Sequence, residues 1–263
     1  MNILETIIES KKLEVRSQKL EVKVSDLERS DFFKRKILSL KQFLMDDSGT
    51  GIIAEFKRRS PSKGTINDNA DVTAITKAYA DKGASALSVL TDEKFFGGTA
   101  DDLVKARINK IPILRKDFII DEYQVIEAKS IGADVILLIA ACLTPQQIKT
   151  LAKFARSLEL EVLLELHGED ELEHICDETE IIGINNRNLK TFEVDIERSL
   201  RMAEKIPSGK IKVAESGISS VENINLFKEH GFRGFLIGEN FMKEKDPAIA
   251  FASFVNKLKT VSS

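Results

Sequence analysis

From residue 51 onward, short runs of aliphatic and β-branched residues alternate with longer segments whose apolar residues recur at helical spacing. This alternation is typical of repeated strand–helix units around a parallel sheet, because a crossover between parallel strands usually contains a helix. Eight segments have strand character: Gly51–Lys57, Ala84–Thr91, Ile111–Lys116, Asp134–Ala140, Leu160–Leu166, Ile181–Asn185, Ile211–Ser216 and Gly234–Gly238. The pattern therefore predicts an α/β fold with eight parallel strands.

Segments of helical period follow these strands. They are Val72–Lys82, Thr99–Ile108, Glu122–Ile131, Pro145–Leu158, Glu169–Cys176, Ile196–Lys205, Ser220–His230 and Pro247–Lys259. Gly83, Gly132 and Gly231 lie just after three of them, where a left-handed C-cap favours glycine. A doubly wound open sheet is the alternative architecture, but eight strands with following helices fit a closed (β/α)8 TIM barrel better.

About 45 residues precede the first strand, with helical period over Leu4–Lys19 and Ser25–Met45. Barrels of this kind often run to about 250 residues as one domain, so a length of 263 residues does not require two. A segment this short also buries little surface by itself. We expect residues 1–263 to form a single (β/α)8-barrel domain, of which residues 1–46 are a helical N-terminal extension.

The charge balance argues against two classes of partner. The chain has 39 Lys and Arg against 42 Asp and Glu, a formal net charge of -3 at pH 7. It therefore lacks the basic field that attracts nucleic acid or an anionic membrane surface. The longest apolar run, Val135–Leu143, is about half the roughly 20 residues that a membrane-spanning helix needs. We expect no nucleic-acid partner and no membrane partner.

Cysteine and histidine positions give no sign of a disulfide framework or a metal site. Cys142 and Cys176 lie far apart and form no C-x-x-C pair. His167 and His174 have no metal-ligand spacing with each other or with Cys176, so we interpret both as structural residues. Met1–Ser10 contains acidic residues where a signal peptide would be positively charged. These features predict a cytoplasmic protein with no metal site.

Charged and amide side chains interrupt strands that should otherwise be almost continuously aliphatic. In the first strand, Glu55 and Lys57 share a face with Ile53. Near the C-terminal ends of later strands lie Lys116, Glu165, Asn185 and Glu215. Barrel enzymes hold their active sites at this end, and converging acids and bases shift one another's pKa values as proton transfer requires. A purely structural charge network is the alternative.

Two loops at the same end have the features of a phosphate site. Glu215–Ser220 leaves the seventh strand and opens a helix, and Gly238–Asn240 leaves the eighth. Loops after strands seven and eight commonly bind phosphate in barrels, since glycine lets backbone N–H groups approach the oxygens. A tight turn at Gly217 and a helix cap at Ser219 are the structural alternatives.

Two further loops have features of a substrate pocket. Arg58–Gly64, after the first strand, is basic and rich in turn-forming residues, as either a mobile cover or an ordinary surface turn would be. Phe95–Gly98 follows the second strand, and Phe118 closely follows Lys116. We interpret these aromatic side chains as the wall of a pocket for an aryl group, with core filling as the alternative.

Seven blocks that run in order through the chain resemble the indole-3-glycerol phosphate synthase family. They are Ile53–Ser62, Ser88–Thr91 with Phe95–Gly98, Leu114–Phe118, Leu164–His167, Ile184–Leu189, Ala214–Ile218 and Phe235–Glu239. A long helical N-terminus is also what this family adds to its barrel. The resemblance implies a carboxy-lyase of tryptophan biosynthesis that needs no cofactor and no metal. It would convert 1-(2-carboxyphenylamino)-1-deoxyribulose 5-phosphate to indole-3-glycerol phosphate by ring closure, decarboxylation and dehydration.

The resemblance also implies roles for individual residues. The implied catalytic residues are Lys116, Glu165, Lys57, Glu55, Asn185 and Glu215. Among them, Lys116 would be the general acid that protonates the substrate ketone, and Glu165 would act in proton removal or dehydration with Lys57 beside it. The other three would order this network and the substrate hydroxyls. Implied substrate-binding residues are Ser60, Pro61, Phe96, Phe118, Arg187 and Leu189, and implied phosphate-binding residues are Ser216, Gly217, Gly238 and Glu239.

Two features depart from the family pattern. Asn240 and Phe241 follow Gly238 and Glu239, at positions where smaller residues are common. The chain also has no tryptophan, so another residue must supply any aromatic contribution from the N-terminus.

Two other interpretations stay open at this point. One is a barrel lyase or aldolase in which Lys116 forms a Schiff base, a role that suits a desolvated lysine at a strand end. The other is a barrel that has lost its activity and serves as a binding or assembly subunit. For the family interpretation we expect a phosphorylated small-molecule substrate and a monomer or weak homodimer.

Overall fold

Eight parallel strands close into a barrel in the computed structural model of the chain, which describes residues 2–188 and 193–261. The strands, labelled β1 to β8 in chain order, are Ile52–Phe56, Ala86–Leu90, Ile113–Lys116, Val135–Ile139, Glu161–Leu166, Ile181–Asn185, Ile211–Glu215 and Phe232–Ile237. Each strand pairs with its neighbours in the sequence, and β1 closes against β8, with Ile53 opposite Leu236. This order confirms the (β/α)8 prediction over the doubly wound alternative.

Helices cover the outside of the barrel. The longer ones are Val72–Asp81, Ala100–Ala106, Glu122–Ser130, Pro145–Ser157, Ile196–Lys205, Val221–Glu229 and Pro247–Val261. Glu93–Phe96 and Glu239–Met242 are single turns, and Ala140–Cys142 is a short 3-10 helix. Side chains that accept from first-turn N–H groups fix helix starts, as at Thr99 and Thr144. No helix in the described part of the chain is both long and apolar enough for a membrane span.

The segment after β5 differs from its prediction. In place of an α-helix over Glu169–Cys176, the structure has a 3-10 helix over Glu169–His174. Nδ1 of His174 lies 3.0 Å from the carbonyl oxygen of Glu171. This contact occupies an acceptor that a continuing α-helix would use, so the segment stays short.

Alternate residues of each strand point into the barrel or toward the helices. On β1, Ile53 belongs to the interior cluster, while Ala54 and Phe56 pack in the outer cluster with the helices. Leu40 and Leu44 join the interior cluster from the N-terminal segment. A Cβ on Gly234, near the start of β8, would lie 3.2 Å from Leu44. These leucines therefore close the N-terminal end of the barrel and leave the other end open.

Three helices precede the barrel: Ile3–Glu21, Val24–Leu27 and Leu40–Met45. The first agrees with the predicted helix over Leu4–Lys19. The predicted helix over Ser25–Met45 is wrong between residues 28 and 39, which form turns and irregular structure.

Contacts with the barrel explain this break. Oγ of Ser30 donates to the carbonyl oxygen of Ser130, and Arg35 pairs with Asp134 at 2.6 Å. The backbone N–H of Leu38 donates to the same Asp134 carboxylate at 2.8 Å. That N–H would bond within the segment if the helix continued, so tertiary contacts override the local periodicity.

Lys11 joins the first helix to the barrel. Its side chain is 1% exposed, and Nζ lies 3.0 Å from the carboxylates of both Asp92 and Asp117 and 2.9 Å from that of Glu14. Asp117 directly follows the last residue of β3. Burial alone would raise the pKa of Asp117, but the cations of Arg115 and Lys11 lower it to about 2. A buried cation thus holds the extension against the open end of the barrel.

Replacing Lys11 with methionine should lower the free energy of unfolding by about 3–5 kcal/mol, because Asp92 and Asp117 stay buried without this cation. Lys12→Met is the matched control, since Lys12 is 58% exposed and its surface pair with Glu9 contributes little. Urea unfolding at neutral pH measures both variants. Equal midpoints for the two would show that Lys11 does not hold the extension in place.

Candidate active site

A cavity of about 280 Å³ opens at the C-terminal ends of the barrel strands. The predicted site residues line it, except for Leu189, which lies outside the described residues. Those on strands or just beyond them are Glu55, Lys57, Lys116, Glu165, Asn185 and Glu215. Those on loops are Ser60, Pro61, Phe96, Phe118, Arg187, Ser216, Gly217, Gly238 and Glu239. The barrel thus brings polar groups from β1, β3, β5, β6 and β7 into one space.

Strand β1 contributes two opposite charges. Glu55 follows Ile53 on the inward face, and Lys57 lies one residue beyond the strand. Nζ of Lys57 donates to Oε1 of Glu55 at 2.7 Å. A Cβ on Gly238 would come within 2.5 Å of the same oxygen. The glycine after β8 therefore leaves the space that the Glu55 carboxylate occupies.

Lys116 and Glu165 form an ion pair in this cavity. Nζ donates to Oε2 of Glu165 at 3.2 Å, and Nδ2 of Asn185 donates to Oε1 at 3.2 Å. Burial alone would raise the pKa of Glu165, but Lys116 and His167 hold it well below its usual 4.5. Burial alone would lower the pKa of Lys116, yet the charge of Glu165 raises it above its usual 10.5. At neutral pH the lysine is therefore protonated and Glu165 is ionised.

Glu215 is the member of this group whose neutral form its surroundings favour. It lies opposite Asn185 in the β6–β7 register and is 2% exposed. Burial and the negative charge of Glu165 raise the pKa of Glu215 well above its usual 4.5. Its Oε1 has no hydrogen-bond partner among the described residues. A Cβ on Gly183 would lie 2.1 Å from this oxygen, so a glycine on β6 gives the carboxyl group its space.

Ser216 and Gly217, just after β7, are consecutive left-handed residues with φ of +67° and +70°. For a serine this conformation costs roughly 1–2 kcal/mol. Asn186 is fully buried and its Nδ2 donates to the carbonyl oxygen of Ser216 at 2.7 Å, which holds the turn. A Cβ on Gly217 would lie 2.3 Å from a methyl group of Val194. The positioning role of Asn186 is not predicted by its sequence position, since it shows no spacing relation to Ser216.

Basic side chains approach the loop after β8. Arg187 Nη2 lies 3.2 Å from the carboxylate of Glu239, and Lys63 Nζ lies 3.7 Å from it. Gly238 precedes the single helical turn that begins at Glu239. The positive charge that an anion would need is therefore next to this loop.

The loop after β1 is more ordered than its composition predicts. Arg59–Ser60 and Gly64–Thr65 pair as a two-stranded antiparallel ribbon, and Ser60 lines the cavity. The guanidinium of Arg58 pairs with Asp102 at 2.6 Å. This pair fixes the base of the ribbon to the helix after β2.

An apolar wall lines the same cavity. The rings of Phe96 and Phe118 have centroids 6.0 Å apart. Ile3, Leu4 and Ile7 of the first helix also line the cavity, a contribution that the sequence does not predict. Helical periodicity shows that a helix has an apolar face, but it does not show what that face covers. These five side chains form a surface that suits a flat aryl group.

His167 contacts the carboxylate of Glu165, a contact that its interpretation as a structural residue did not include. Nε2 lies 2.9 Å from Oε1 of Glu165, and the side chain is 10% exposed. Burial alone would lower the pKa of His167, but Glu165 and Glu171 raise it to about 9. His174 keeps its structural interpretation, since both ring nitrogens lie within 3.0 Å of backbone carbonyl oxygens. Within residues 2–188 and 193–261, no three His, Cys, Asp or Glu side chains could together hold a metal ion.

Comparison with known proteins gives matches over most of the chain. The family model for indole-3-glycerol phosphate synthase matches residues 4–254. The indole-3-glycerol phosphate synthase of Bacteroides thetaiotaomicron is 48% identical over 259 residues, which cover 98% of this chain and 99% of that protein. The one from Bordetella pertussis is 47% identical over 207 residues, 78% of this chain and 79% of that protein. The matched region includes the barrel and most of the N-terminal extension.

Solved structures share the fold at lower identity. The tryptophan synthase alpha subunit from Legionella pneumophila has a TM-score of 0.62 at 12% identity and covers 84% of this chain and 97% of its own. KGPDC from Streptococcus mutans has a TM-score of 0.58 at 17% identity, with coverages of 81% and 98%. At these identities the likeness shows the barrel fold alone.

Glu215→Gln should stabilise the protein increasingly as pH rises. Because folding raises the pKa of Glu215, the carboxyl group's contribution to stability is complete below its usual 4.5 and is lost as pH rises toward the folded-state pKa. Glutamine does not titrate, so the variant's advantage should grow by about 1.4 kcal/mol per pH unit across that window.

Urea unfolding of both proteins from about pH 4 to pH 8 measures this difference. Glu173→Gln, at an exposed position, is the matched control and should show no such trend. A difference between Glu215→Gln and wild type that is the same at every pH would contradict a neutral Glu215.

Proposed function

The chain belongs to the indole-3-glycerol phosphate synthase family, and we propose that the cavity at the open end of the barrel is its active site. The protein is a carboxy-lyase of tryptophan biosynthesis. It closes the ring of 1-(2-carboxyphenylamino)-1-deoxyribulose 5-phosphate and releases carbon dioxide and water to form indole-3-glycerol phosphate. The observation that carries the placement is the Lys116–Glu165 ion pair, which shares one cavity with an apolar wall and two glycine loops.

Lys116 is the general acid of ring closure in this proposal. When the aryl carbon attacks the ketone, the ketone oxygen gains negative charge and needs a proton. The carboxylate of Glu165 raises the pKa of Lys116, so the ammonium form is present at neutral pH. A positioned proton donor of this kind contributes roughly 10²–10⁴-fold to the rate.

The later steps need a base and a second proton donor. Loss of carbon dioxide restores the aromatic ring, and dehydration then removes a hydroxyl group and a proton from neighbouring carbons. Glu165 is ionised and lies in the cavity, which suits proton removal, and Lys57 is a second ammonium group held by Glu55. Neutral Glu215 can donate a hydrogen bond to a substrate hydroxyl, and Asn185 holds Glu165 in place.

Substrate orientation follows from the two ends of the cavity. The phosphate would bind at Ser216, Gly217, Gly238 and the backbone of Glu239, with Arg187 and Ser60 nearby. The aryl ring would lie against Pro61, Phe96 and Phe118. Leu189 remains a candidate from the sequence, and the same wall includes the aliphatic residues of the first helix.

The proposal also covers the domain organisation, the oligomeric state and the cellular location of the protein. We propose that residues 1–263 form one domain with residues 1–46 as an extension, supported by the buried contacts of Lys11 and Arg35 with the barrel. Two free cysteines support a reducing, cytoplasmic location. Exposed large apolar side chains such as Leu20, Ile108 and Ile249 lie on different elements, which favours a monomer or weak homodimer.

Lys116→Ala should keep the fold and most of the substrate affinity but lose roughly 10²–10⁴-fold in kcat, about 3–5 kcal/mol of barrier. The assay follows indole-3-glycerol phosphate formed from the anilino-deoxyribulose phosphate. Lys153→Ala, an exposed helix position, is the control. Borohydride added during wild-type turnover should trap no adduct. Near-normal turnover of the variant would remove Lys116 from the mechanism, and a reduced adduct on Lys116 would indicate Schiff-base chemistry instead.

Gly217→Ala should raise KM and weaken inhibition by inorganic phosphate, because the added Cβ meets Val194 and displaces the turn. Gly209→Ala is a matched control: Gly209 also has a positive φ, +89°, but a Cβ there meets nothing within 4 Å. Both substitutions therefore strain the backbone similarly, while only one disturbs the cavity. Unchanged phosphate inhibition in folded Gly217→Ala would place the phosphate elsewhere.

A further inference from the structure

Each turnover of this reaction consumes one proton. Ring closure places a proton from Lys116 on the ketone oxygen. Release of carbon dioxide takes none, because the electron pair of the breaking carbon–carbon bond returns to the aryl ring. In dehydration the departing hydroxyl group takes one proton and the neighbouring methylene carbon loses one, so these two cancel. One proton from solvent must therefore enter the site in every cycle, and when the proton removed from the methylene carbon is the one given to the departing hydroxyl, Lys116 is the group that it recharges.

A row of titratable side chains leads away from Lys116. Its Nζ lies 3.2 Å from Oε2 of Glu165, and Oε1 of Glu165 lies 2.9 Å from Nε2 of His167. On the other side of the imidazole ring, Nδ1 lies 3.8 Å from Oε2 of Glu171. Lys116 and Glu165 line the cavity, whereas the other two residues are not part of its lining. The row therefore runs from the cavity lining to residues that lie behind it.

We propose that His167 is a positioning residue that orients Glu165 and passes to it the proton that recharges Lys116, with Glu171 taking that proton from solvent. The proposal rests on the roles given above to Lys116 and Glu165. Both ring nitrogens of His167 are buried and neither has a hydrogen-bond partner among the described residues, so the ring must turn to align with each carboxylate, while the side chain of Glu171 is 14% exposed. Water can therefore reach the row at Glu171 while substrate covers Lys116.

Hydrogen bonds hold the carboxylates of Glu165 and Glu171 beside the imidazole ring of His167. The backbone N–H of His167 donates to Oε2 of Glu171 at 2.5 Å, which places this carboxylate beside the ring. Asn185 donates to Oε1 of Glu165, the oxygen that faces His167. Both carboxylates are thus held at the imidazole by a second contact.

The surrounding charges favour a protonated imidazole. Glu165 on β5 and Glu171 on the following 3-10 helix face the ring, and the Lys116 ammonium lies beyond Glu165. Burial alone would lower the pKa of His167, but the two carboxylates raise it to about 9, so the ring holds a proton at neutral pH. Cys142 is also near these carboxylates, and burial raises the pKa of its thiol to about 12. The thiol therefore stays neutral and does not compete for the proton.

These contacts define the route of the proton from His167 to Lys116. After ring closure Lys116 is a neutral amine. The Nε2–H of His167 gives its proton to Oε1 of Glu165, and the carboxyl group turns and gives it to Nζ of Lys116. Glu165 ends as the carboxylate it was. The imidazole then turns so that its bare Nε2 faces Glu171, takes there the proton that Glu171 received from solvent, and turns back. Only N–H and O–H bonds change, and the net result is uptake of one proton from solvent.

His167→Gln tests the relay, because the glutamine amide can still donate to Glu165 but cannot pass on a proton. In a single turnover the ammonium already present on Lys116 supplies the proton, so the first-turnover rate should stay within about twofold of wild type. In steady state, kcat should fall roughly tenfold or more, toward the lower end of the range for general acid–base catalysis. Added imidazole should restore the steady-state rate by delivering protons directly.

A second variant and a control complete the experiment. Glu171→Gln should give the same separation between first and later turnovers, which keeps the test available if His167→Gln folds poorly. His230→Gln is the matched control, because His230 contacts the carbonyl oxygen of Leu226 at the end of an outer helix. Both of its rates should equal those of wild type.

Each alternative outcome overturns a defined statement. If the wild-type protein forms no indole-3-glycerol phosphate, the proposed function and the relay are both wrong. If wild type is active, the relay alone is wrong when His167→Gln or Glu171→Gln slows the first and later turnovers equally and imidazole changes neither. Normal steady-state rates in both variants would also overturn the relay.

Discussion

The ammonium group of Lys116 is buried among carboxylates, and most other features of the site follow from the need to compensate this charge. An uncompensated buried charge costs several kcal/mol, so a lysine inside a barrel needs partners on other strands. Glu165 provides one at 3.2 Å. With the neutral form of Glu215 favoured, the other charged side chains at the strand ends are two ammonium groups and two carboxylates, and their charges cancel. The members of this balanced set are Lys57, Lys116, Glu55 and Glu165.

The barrel provides this compensation through strand alternation and missing side chains. Inward positions near the strand ends bring Glu55, Lys116 and Glu165 together from distant parts of the chain. Gly183 and Gly238 then leave the volume that two carboxyl groups fill, since a Cβ at either position would overlap a carboxyl oxygen. Glycines at these points therefore serve the charged site as much as they serve the backbone. Gly183 and Gly238 therefore satisfy both the packing and the electrostatic needs of the site.

The sequence predicted the barrel and the polar strand ends because both depend on local patterns. Aliphatic runs define the strands, and Lys116 and Glu165 stand out within such runs. The break in the second N-terminal helix depends on contacts with a distant residue, Asp134. Local periodicity contains no information on these contacts. The sequence also could not show that the first helix covers the cavity, since this depends on how the buried Lys11 docks.

The unpaired oxygen of Glu215, on a residue that lines the cavity, favours an active site over a purely structural charge network. A network selected only for stability satisfies its buried polar atoms, because an unsatisfied group costs about 1–3 kcal/mol. Nδ2 of Asn186 has a partner in the carbonyl oxygen of Ser216, whereas its Oδ1 has none among the described residues. Oε1 of Glu215 also has no partner among the described residues, and Glu215 lines the cavity whereas Asn186 does not. In the proposed function, a substrate hydroxyl would supply the missing hydrogen bond and recover its cost.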